Sequence, residues 1–367
     1  EGARHLRNRG ASPRTEGDCR KLTASRLSFR WSRDRSWMSP MKRRTLGRSD
    51  VEVSAIGLGT NNFGWRLDQA EAKKIIDLCH DLGIDFLDTA DIYGEGASEE
   101  MVGRAVQGRR DDFFIASKVG LPWEDGSRPG GLAGEYVTDS VEQSLERLRT
   151  DHIDLLQLQR PDPATPIEET LETLSGLVDE GKIRFVGCSN FMVWEMVEWL
   201  LQARHNKWPE FVSIQAEYSM LVRDAETELL HACDRFDISL IPHRPLAQGF
   251  LTGKYQRDSD LPGGARLTLQ DKTRQLRFTD ENFKALDVLV DVAAAKTCTP
   301  AQVAIAWLLD KEMVTSVIAG ASSPAQMAEN AAATDISLTG SEIEALAVAL
   351  PGVPGGAVGA LHMRPNL

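Results

Sequence analysis

From Val51 onward, short apolar runs alternate with longer stretches in which apolar residues recur about every three or four positions. The short runs contain few polar residues, which is typical of strands that are buried on both faces. The longer stretches, such as VTDSVEQSLERLR, have the spacing of amphipathic helices. Eight strand–helix units follow one another, and their strands are VSAIGLGT, DFLDTA, FFIASKVG, IDLLQLQ, IRFVGCSN, FVSIQAEYS, ISLIPHRPL and VTSVIAGAS.

This order predicts an α/β protein with parallel strands, because a helix between two strands allows the second strand to run parallel to the first. Eight such units favour a closed (β/α)8 TIM barrel, which residues 41–350 would form as a single domain. The segment RLTLQDKTRQLRFTD and residues 351–367 lack the repeat, and we interpret both as loop or lid segments.

Residues 1–40 show neither helical nor strand periodicity and are rich in Arg and Ser. We interpret them as a disordered N-terminal extension, or as an extension upstream of a start at Met38 or Met41. An organelle transit peptide is the alternative, because such peptides are rich in Arg and Ser and poor in acidic residues. These residues contain no apolar stretch of the kind that a secretory signal needs.

The charge is distributed unevenly along the chain. The formal net charge is −12 at pH 7, and residues 1–40 hold ten basic and four acidic residues, a net of +6. Residues 41–367 therefore carry −18. An acidic body disfavours binding to nucleic acid, so we predict no nucleic-acid partner. An anionic ligand would need a local group of positive side chains.

The composition is that of an ordinary globular protein, with 42% hydrophobic and 26% charged residues among 367. No run of about 18 apolar residues occurs, so we predict no transmembrane helix and no membrane partner. The five cysteines are scattered and odd in number, which argues against a disulfide framework and favours a reducing, cytoplasmic location. The sequence has no CxxC pair and no His/Cys cluster with zinc spacing, so we predict no metal site.

Several predicted strands end in polar residues, and the C-terminal strand ends of a (β/α)8 barrel carry its active site. Lys118 ends the third strand, where burial disfavours an unpaired ammonium group. Asp88 ends the second strand and can supply the carboxylate that Lys118 needs. A structural ion pair that closes the barrel is the alternative for these two residues alone. Tyr93 follows Asp88, and an ammonium group nearby lowers the pKa of a phenol, which makes the phenol a usable general acid.

The eighth strand leads into GASSPAQMAEN, which reads as a short loop and a helix start. Ser323 is placed to cap this helix, and Pro324 takes its first position. The free N–H groups and positive dipole end of a helix start suit a phosphate, and barrels commonly bind phosphate here. A capped helix without a ligand is the alternative. No GxGxxG motif follows a strand, so a Rossmann-type site is not predicted.

Between about Leu46 and Leu350 the chain resembles the aldo-keto reductases, which are NADPH-dependent carbonyl reductases on a (β/α)8 barrel. It is most similar to the bacterial members and to the branch related to potassium-channel β-subunits. The resemblance rests on eight stretches in the same order, which are IGLGTNNFG, FLDTADIYGEGASEEMVGRA, IASKVG, SLERLRTDHIDLLQ, GKIRFVGCSNF, QAEYSML, PLAQGFLTGKY and GASSPAQMAEN.

The resemblance implies four catalytic positions, which here hold Asp88, Tyr93, Lys118 and Gln159. It implies hydride transfer from C4 of NADPH to the carbonyl carbon of a small-molecule substrate, with Tyr93 protonating the alkoxide. Gln159 is a departure, because the family usually has histidine at this point of a QLHRPDP motif. A glutamine amide can donate a hydrogen bond to the carbonyl oxygen, but it cannot titrate near neutral pH. We therefore expect Gln159 to orient the substrate while Tyr93 alone handles the proton.

The resemblance also implies a site for NADPH/NADP+ along the strand ends. Its positions are Gly59, Thr60, Ser189, Asn190, Gln215, His243, Leu246, Gln248, Lys254, Arg266, Gly320, Ser322, Gln326, Glu329 and Asn330. The carboxamide of the nicotinamide would be held by Ser189, Asn190 and Gln215. The pyrophosphate would lie along Leu246, Gln248 and Lys254. The 2′-phosphate would meet Arg266, Ser322 and Gln326, and the adenine would meet Glu329 and Asn330. His243 is a second departure, because the family often stacks a tyrosine or tryptophan on the nicotinamide ring.

The sequence thus predicts an NADPH-dependent oxidoreductase that reduces an aldehyde or ketone to an alcohol. The alternative is a nicotinamide-binding sensor or regulatory subunit with weak or vestigial reductase activity. The set of Asp88, Tyr93 and Lys118 favours the enzyme, because a pure binding module has no need of a buried lysine. A barrel hydrolase is disfavoured because the sequence has no His-x-His metal pair. We expect the substrate pocket to be lined by Trp65, Trp123 and the 351–367 tail. A pocket lined by these residues favours an aromatic or apolar carbonyl.

Overall fold

The structure is a computed structural model that describes residues 40–257 and 259–350. The predicted disordered extension of residues 1–40, apart from Pro40, lies outside the described residues, and so does the 351–367 tail. The described chain forms a short hairpin followed by a ring of parallel strands with helices between them.

The hairpin was not predicted from the sequence. It consists of the antiparallel strands β1 (Arg43–Thr45) and β2 (Glu52–Ser54). The sequence predicts one strand for VSAIGLGT, whereas the structure ends β2 at Ser54 and starts the first barrel strand at Ile56. A strand of three residues is too short to show a two-residue period. Val53 packs in one apolar cluster with Phe86 and Phe114, so the hairpin covers the N-terminal ends of the barrel strands.

Eight parallel strands form the barrel, as predicted. They are β3 (Ile56–Gly59), β4 (Phe86–Asp88), β5 (Phe114–Val119), β6 (Ile153–Leu158), β7 (Ile183–Ser189), β8 (Phe211–Glu217), β9 (Ser239–His243) and β10 (Val317–Gly320). Hydrogen-bonded neighbours follow the order β10-β3-β4-β5-β6-β7-β8-β9, and each of these pairs is parallel. Between β9 and β10 a bridge joins Leu240 to Val314, in the segment that leads into β10. The barrel is therefore nearly closed, which confirms the predicted (β/α)8 fold.

A helix follows each barrel strand. The helices are α1 (Gln69–Asp81), α2 (Ala97–Ala105), α3 (Gly134–Leu148), α4 (Ile167–Asp179), α5 (Val193–Asn206), α6 (Leu229–Phe236), α7 (Asp271–Arg277), α8 (Asp280–Ala295), α9 (Pro300–Leu309), α10 (Pro324–Ala332) and α11 (Gly340–Ala349). α1 shows how the sequence fixes such a helix, because Asp68 and Glu71 form a capping box at its start. Its buried residues recur at helical spacing and are Ala72, Ile75, Ile76 and Cys79.

The segment RLTLQDKTRQLRFTD, interpreted from the sequence as a loop or lid segment, is partly helical. It contains a 3-10 turn at Arg266–Thr268 and the helix α7. Seven residues make too few turns for an apolar period to be visible. Arg277 at the end of α7 is 2% exposed and donates to Glu217 Oε1 at 2.6 Å. The segment is therefore anchored to the C-terminal end of β8.

The described part of the chain holds four cysteines, all of them free thiols, which are Cys79, Cys188, Cys233 and Cys298. Within residues 40–257 and 259–350, no group of three or more His, Cys, Asp or Glu side chains is placed to hold a metal ion. No single described helix is long and apolar enough to cross a membrane. The helices α8 and α9 meet that criterion only together, and they are bent by 95°.

Candidate active site

Three of the predicted catalytic residues come from the C-terminal ends of two neighbouring strands. Asp88 is the last residue of β4, and Lys118 is the penultimate residue of β5. Both are buried, with 2% and 1% of their surface exposed. Tyr93 lies in the loop from β4 to α2. A hydrogen bond from Asp91 N to Lys118 O (3.2 Å) fastens this loop to β5.

Lys118 directs all three of its N–H donors into the site. Its Nζ donates to Asp88 Oδ1 at 2.7 Å and to Thr89 O at 2.9 Å, and it contacts Tyr93 Oη at 3.4 Å. The ammonium group also lies 5.0 Å from the centroid of the Tyr93 ring. The structure thus brings together the carboxylate, the ammonium group and the phenol that the sequence predicts.

Asp88 Oδ1 accepts from two amides in addition to Lys118. Gln215 Nε2 donates to it at 2.7 Å, and Gln157 Nε2 donates at 3.4 Å. Sequence reasoning places Gln215 at the cofactor carboxamide and does not select Gln157. The signal for Gln157 is its place in β6 two residues before Gln159, because alternate residues of a strand face the same side. Gln157 is fully buried, so it acts as a structural support of the carboxylate.

Burial and charge together set the protonation of the site. Burial favours the neutral amine of Lys118, but Asp88 and Tyr93 outweigh it, and the pKa of Lys118 lies above its ordinary value. Burial raises the pKa of Tyr93, and the opposing charge of Lys118 only reduces that rise. The lowered pKa expected for Tyr93 is therefore wrong in its net direction, because lost hydration outweighs one nearby cation. Tyr93 is protonated and Lys118 is charged at neutral pH.

Gln159 follows β6 directly and is fixed by its backbone. Its N–H donates to Val119 O at 2.9 Å, and its O accepts from Asn190 Nδ2 at 3.1 Å. The residue is 9% exposed, and its buried Oε1 has no hydrogen-bond partner among the described residues. An unsatisfied buried acceptor costs about 1–3 kcal/mol. A ligand that donates a hydrogen bond to Gln159 would remove this cost.

Ser189, Asn190 and His243 form one hydrogen-bonded group at the ends of β7 and β9. Asn190 Nδ2 donates to Ser189 Oγ at 3.0 Å, and Asn190 Oδ1 lies 3.4 Å from His243 Nε2. The φ of Asn190 is +56°, a conformation that Asn adopts more readily than most residues. Burial lowers the pKa of His243 to about 4 against the opposing charge of Glu217. The imidazole is therefore neutral at pH 7.

The chain turns sharply after Leu246, where the pyrophosphate contacts are predicted. The φ is positive at Gln248 (56°) and at Gly249 (89°). Lys254 folds back over this turn, and a Cβ added to Gly249 would lie 2.8 Å from Lys254 Nζ. Gln248 is engaged in the protein, because its Oε1 accepts from Arg277 Nε at 3.2 Å. Lys254 thus approaches the backbone closely only because residue 249 is glycine.

The predicted phosphate site after β10 is a capped helix start. Gln326 N donates to Ser323 Oγ at 3.3 Å, and Pro324 is the first residue of α10. Gln326 Oε1 accepts from both the N–H and the hydroxyl group of Ser322, each at 2.8 Å. The Ser322 donors that would bind a phosphate therefore already have a neutral partner.

The other predicted cofactor residues differ in accessibility. Gly320 is exposed and Glu329 is half-buried, whereas Gly59, Thr60 and Asn330 are buried. Thr60 Oγ1 donates at 2.9 Å to the backbone carbonyl that ends β4. That bond holds the ends of β3 and β4 together, so Thr60 has a structural role independent of any ligand.

Positive charge is concentrated beside these strand ends. Arg266 Nη2 donates to Asn61 Oδ1 at 3.1 Å and to Asn62 Oδ1 at 2.6 Å. Burial lowers the pKa of Arg266 and of Lys254, and the like charge of Arg66 lowers both further. Arg66 is not among the residues predicted from the sequence, where its only signal is a lone cation in the loop after β3.

The two tryptophans predicted in the substrate pocket have different surroundings. Trp65 is 53% exposed, and its Nε1 donates to Asn61 O at 2.6 Å. Trp123 has Arg128 and Arg147 near its ring, each with Cζ 5.8 Å from the centroid. Its buried Nε1 has no partner among the described residues. Contact of either ring with a substrate stays a prediction.

The structure is a parallel (β/α)8 barrel that holds a buried carboxylate and ammonium group beside a phenol at its C-terminal strand ends. The Aldo/keto reductase family matches residues 55–350, which is most of the chain. The chain belongs to this family, as the resemblance implies.

Known relatives are similar over most of their length. The NADH-specific methylglyoxal reductase of Escherichia coli (strain K12) is 35% identical over 323 residues, which cover 82% of this chain and 95% of that protein. A probable voltage-gated potassium channel subunit beta from Arabidopsis thaliana is 34% identical over 306 residues, which cover 81% and 92%. The holo form of an aldo-keto reductase from Bacillus halodurans has a TM-score of 0.67 at 31% identity, with 86% of this chain and 99% of that chain covered.

Proposed function

We propose that this protein reduces an aldehyde or a ketone to an alcohol with NADPH as hydride donor and Tyr93 as general acid. The observation that carries the proposal is the chain of contacts from Asp88 through Lys118 to Tyr93 Oη, at 2.7 and 3.4 Å. An ion pair that served only to close the barrel would not need a phenol at its outer end. The site therefore has the groups that proton transfer to a carbonyl oxygen requires.

The residues at the strand ends fit a nicotinamide dinucleotide. Asn190 carries an amide beside the neutral ring of His243, at the predicted nicotinamide position. Lys254 and Arg266 supply positive charge in a chain whose net charge is −12. Arg66 has a buried Nη2 that finds no hydrogen-bond partner in residues 40–257 and 259–350. Bound NADPH would supply the hydride, and these residues would hold its two ends.

Tyr93 Oη holds the proton that the substrate oxygen would receive. Because burial raises its pKa, the phenol is protonated at neutral pH and able to donate. Lys118 lies 3.4 Å from Oη and would stabilise the phenolate that remains. Asp88 keeps Lys118 charged. Gln159 Nε2 can donate to the same substrate oxygen and orient the carbonyl without transferring a proton.

The preference for NADPH is the finer part of the proposal. The 2′-phosphate adds negative charge that Arg266 would neutralise. Ser322 and Gln326 would act as neutral donors to this phosphate after the hydrogen bonds between them are broken. The Escherichia coli relative is NADH-specific by its name, so both cofactors need to be titrated. We expect a lower Kd for NADPH in a fluorescence titration. Equal affinities would remove the 2′-phosphate contact from the proposal.

The activity is tested by following NADPH oxidation against a panel of aldehydes, ketones and sugars. We expect turnover with at least one class, and a loss of about 10²–10⁴-fold in Tyr93→Phe with NADPH binding retained. Tyr136→Phe is the matched control, because it removes the hydroxyl group of a tyrosine on α3. Near wild-type turnover in Tyr93→Phe would exclude Tyr93 as the acid.

A nicotinamide-binding sensor or regulatory subunit with vestigial reductase activity is the second candidate. It is favoured by Gln159, which cannot carry a proton at a catalytic position. The similarity to an Arabidopsis protein named as a probable channel subunit points the same way. The two candidates differ in the rate at which bound NADPH is oxidised in a single turnover. Tight NADPH binding with negligible oxidation across the whole panel would favour the sensor.

A further inference from the structure

Three cations converge beside the ends of β3, β9 and β10. Arg266 Nη2 is hydrogen bonded to Asn61 and Asn62, in the loop that follows β3. Arg66 lies in the same loop, and its backbone N–H donates to the backbone carbonyl of Asn62 at 3.0 Å. Lys254 lies against the turn that follows β9. Each of the three is close enough to the others for their charges to interact.

These cations have no counter-ion in the described part of the chain. None of the three forms an ion pair with a described carboxylate, and the buried Nη2 of Arg66 has no hydrogen-bond partner among the described residues. Like charges held together and partly desolvated raise the free energy of the folded protein. The three positive charges are therefore uncompensated in the described chain, and a multiply charged anion would compensate them.

The side chains are held in place before any anion arrives. The Arg66 guanidinium lies 4.5 Å from the centroid of the Trp65 ring, and Trp65 Nε1 is itself hydrogen bonded to Asn61 O. This stacking uses the face of the guanidinium and leaves its edge, with Nη2, free to donate. Arg66 is thus oriented by packing, which reduces the entropy lost when it binds a ligand.

We infer that Arg66 binds the pyrophosphate of the dinucleotide together with Lys254, in addition to the contacts that the family resemblance implies. The inference rests on the proposed function for the identity of the ligand. Two adjacent phosphates offer the two negative charges that a pair of cations neutralises, and the planar guanidinium suits phosphate oxygens. The Arg266 guanidinium is linked to the end of β10 through Asn62, whose Nδ2 lies 3.9 Å from a Cβ built on Gly320. That leaves Arg266 for the 2′-phosphate and Arg66 for the pyrophosphate.

The test compares Arg66→Gln with Arg104→Gln, an exposed arginine on α2 that pairs with Glu100. ADP, NADH and NADPH are titrated into each full-length protein by calorimetry. We expect Arg66→Gln to weaken all three ligands by a similar factor of about tenfold or more, as for lost hydrogen bonds to charged groups. Arg104→Gln should bind as the wild type does. Arg66→Lys should recover part of the affinity, because it keeps the charge and loses the planar fork.

Two outcomes would overturn the inference. Unchanged affinity for ADP and NADH in Arg66→Gln would remove Arg66 from the pyrophosphate, and a loss confined to NADPH would place it at the 2′-phosphate instead. If Arg66→Gln did not fold, Trp65→Ala provides the second test. Trp65 is 53% exposed, and loss of its stacking should weaken ADP binding by a smaller factor; unchanged ADP affinity would count against the inference. ADP carries no hydride, so its binding separates this inference from the proposed reductase activity, which turnover measures.

Discussion

Replacing Lys118 with methionine distinguishes a catalytic ion pair from one that only closes the barrel. The variant leaves Asp88 buried, with amide donors from Gln215 at 2.7 Å and Gln157 at 3.4 Å but without its cation. Removing one partner of a buried ion pair costs about 3–5 kcal/mol. The two amides and protonation of Asp88 relieve part of that cost. We therefore expect the free energy of unfolding to fall by about 2–4 kcal/mol.

The same substitution should lower the catalytic rate independently of stability. Tyr93 Oη loses the cation at 3.4 Å that would stabilise its phenolate. We expect kcat/KM to fall by about 10²–10⁴-fold, as for other positioned groups of this kind. A double variant, Asp88→Asn with Lys118→Met, removes the uncompensated charge. It should regain most of the lost stability and none of the activity.

Urea unfolding and steady-state kinetics of the wild type, both single variants and the double variant check these expectations. Lys73→Met is the control, because Lys73 is an exposed cation on α1 whose pairing with Asp77 contributes little. In Lys118→Met the unpaired Asp88 binds a proton more readily in the folded chain, so its stability deficit should shrink as the pH falls. A destabilised variant with wild-type kcat/KM would show that the pair is only structural. A stability change below about 0.5 kcal/mol would refute the energetic argument.

Three further outcomes are expected. Gln159→His should reduce simple aldehydes faster, with a gain that depends on pH near the imidazole pKa of about 6.5; kinetics without any change between about pH 5.5 and 8.5 would mean that residue 159 does not face the reacting oxygen. Arg266→Gln should weaken NADPH about tenfold more than NADH in titrations, and equal losses would move Arg266 away from the 2′-phosphate. His243 has a pKa of about 4 when folded and about 6.5 when unfolded, so the unfolded chain binds the proton more readily and stability should fall as the pH drops below about 6.5. At about pH 5 the loss of stability amounts to about 1–2 kcal/mol in urea unfolding. The exposed control His205→Gln should show the same loss, and His243→Gln should not. If the stability of His243→Gln fell with pH as the wild type does, another group would be titrating.

The barrel could be predicted because its determinants are local. Most of the barrel strands are buried on both faces, so their apolar runs are visible without knowledge of their neighbours. The pairing of Lys118 with Asp88 could be predicted for a related reason, since an ammonium group at a buried strand end requires a carboxylate from an adjacent strand. Both inferences use only the type of residue and its place on a strand.

The rest depends on distances across the barrel, which residue types do not fix. Gln157 and Gln215 reach Asp88 from β6 and β8, and a sequence does not state which of several inward amides meets a given carboxylate. The net direction of the Tyr93 pKa depends on how completely the phenol is buried, and one nearby cation does not decide it. In the sequence Arg66 is a single charge in a loop. Only the structure shows that its charge lies close enough to Lys254 to interact with it.

The burial of Asp88 and Lys118 bears on the choice between a reductase and a binding protein. A buried ion pair is often no more stabilising than well-packed apolar residues of similar volume, because both charges lose their hydration. A barrel that only bound a nicotinamide would therefore gain nothing from this pair at 1–2% exposure. Nor would such a barrel need the third hydrogen bond of Lys118, which reaches Tyr93 Oη. The pair and the phenol are explained together when the site stabilises a charge that develops on the phenol oxygen during proton transfer.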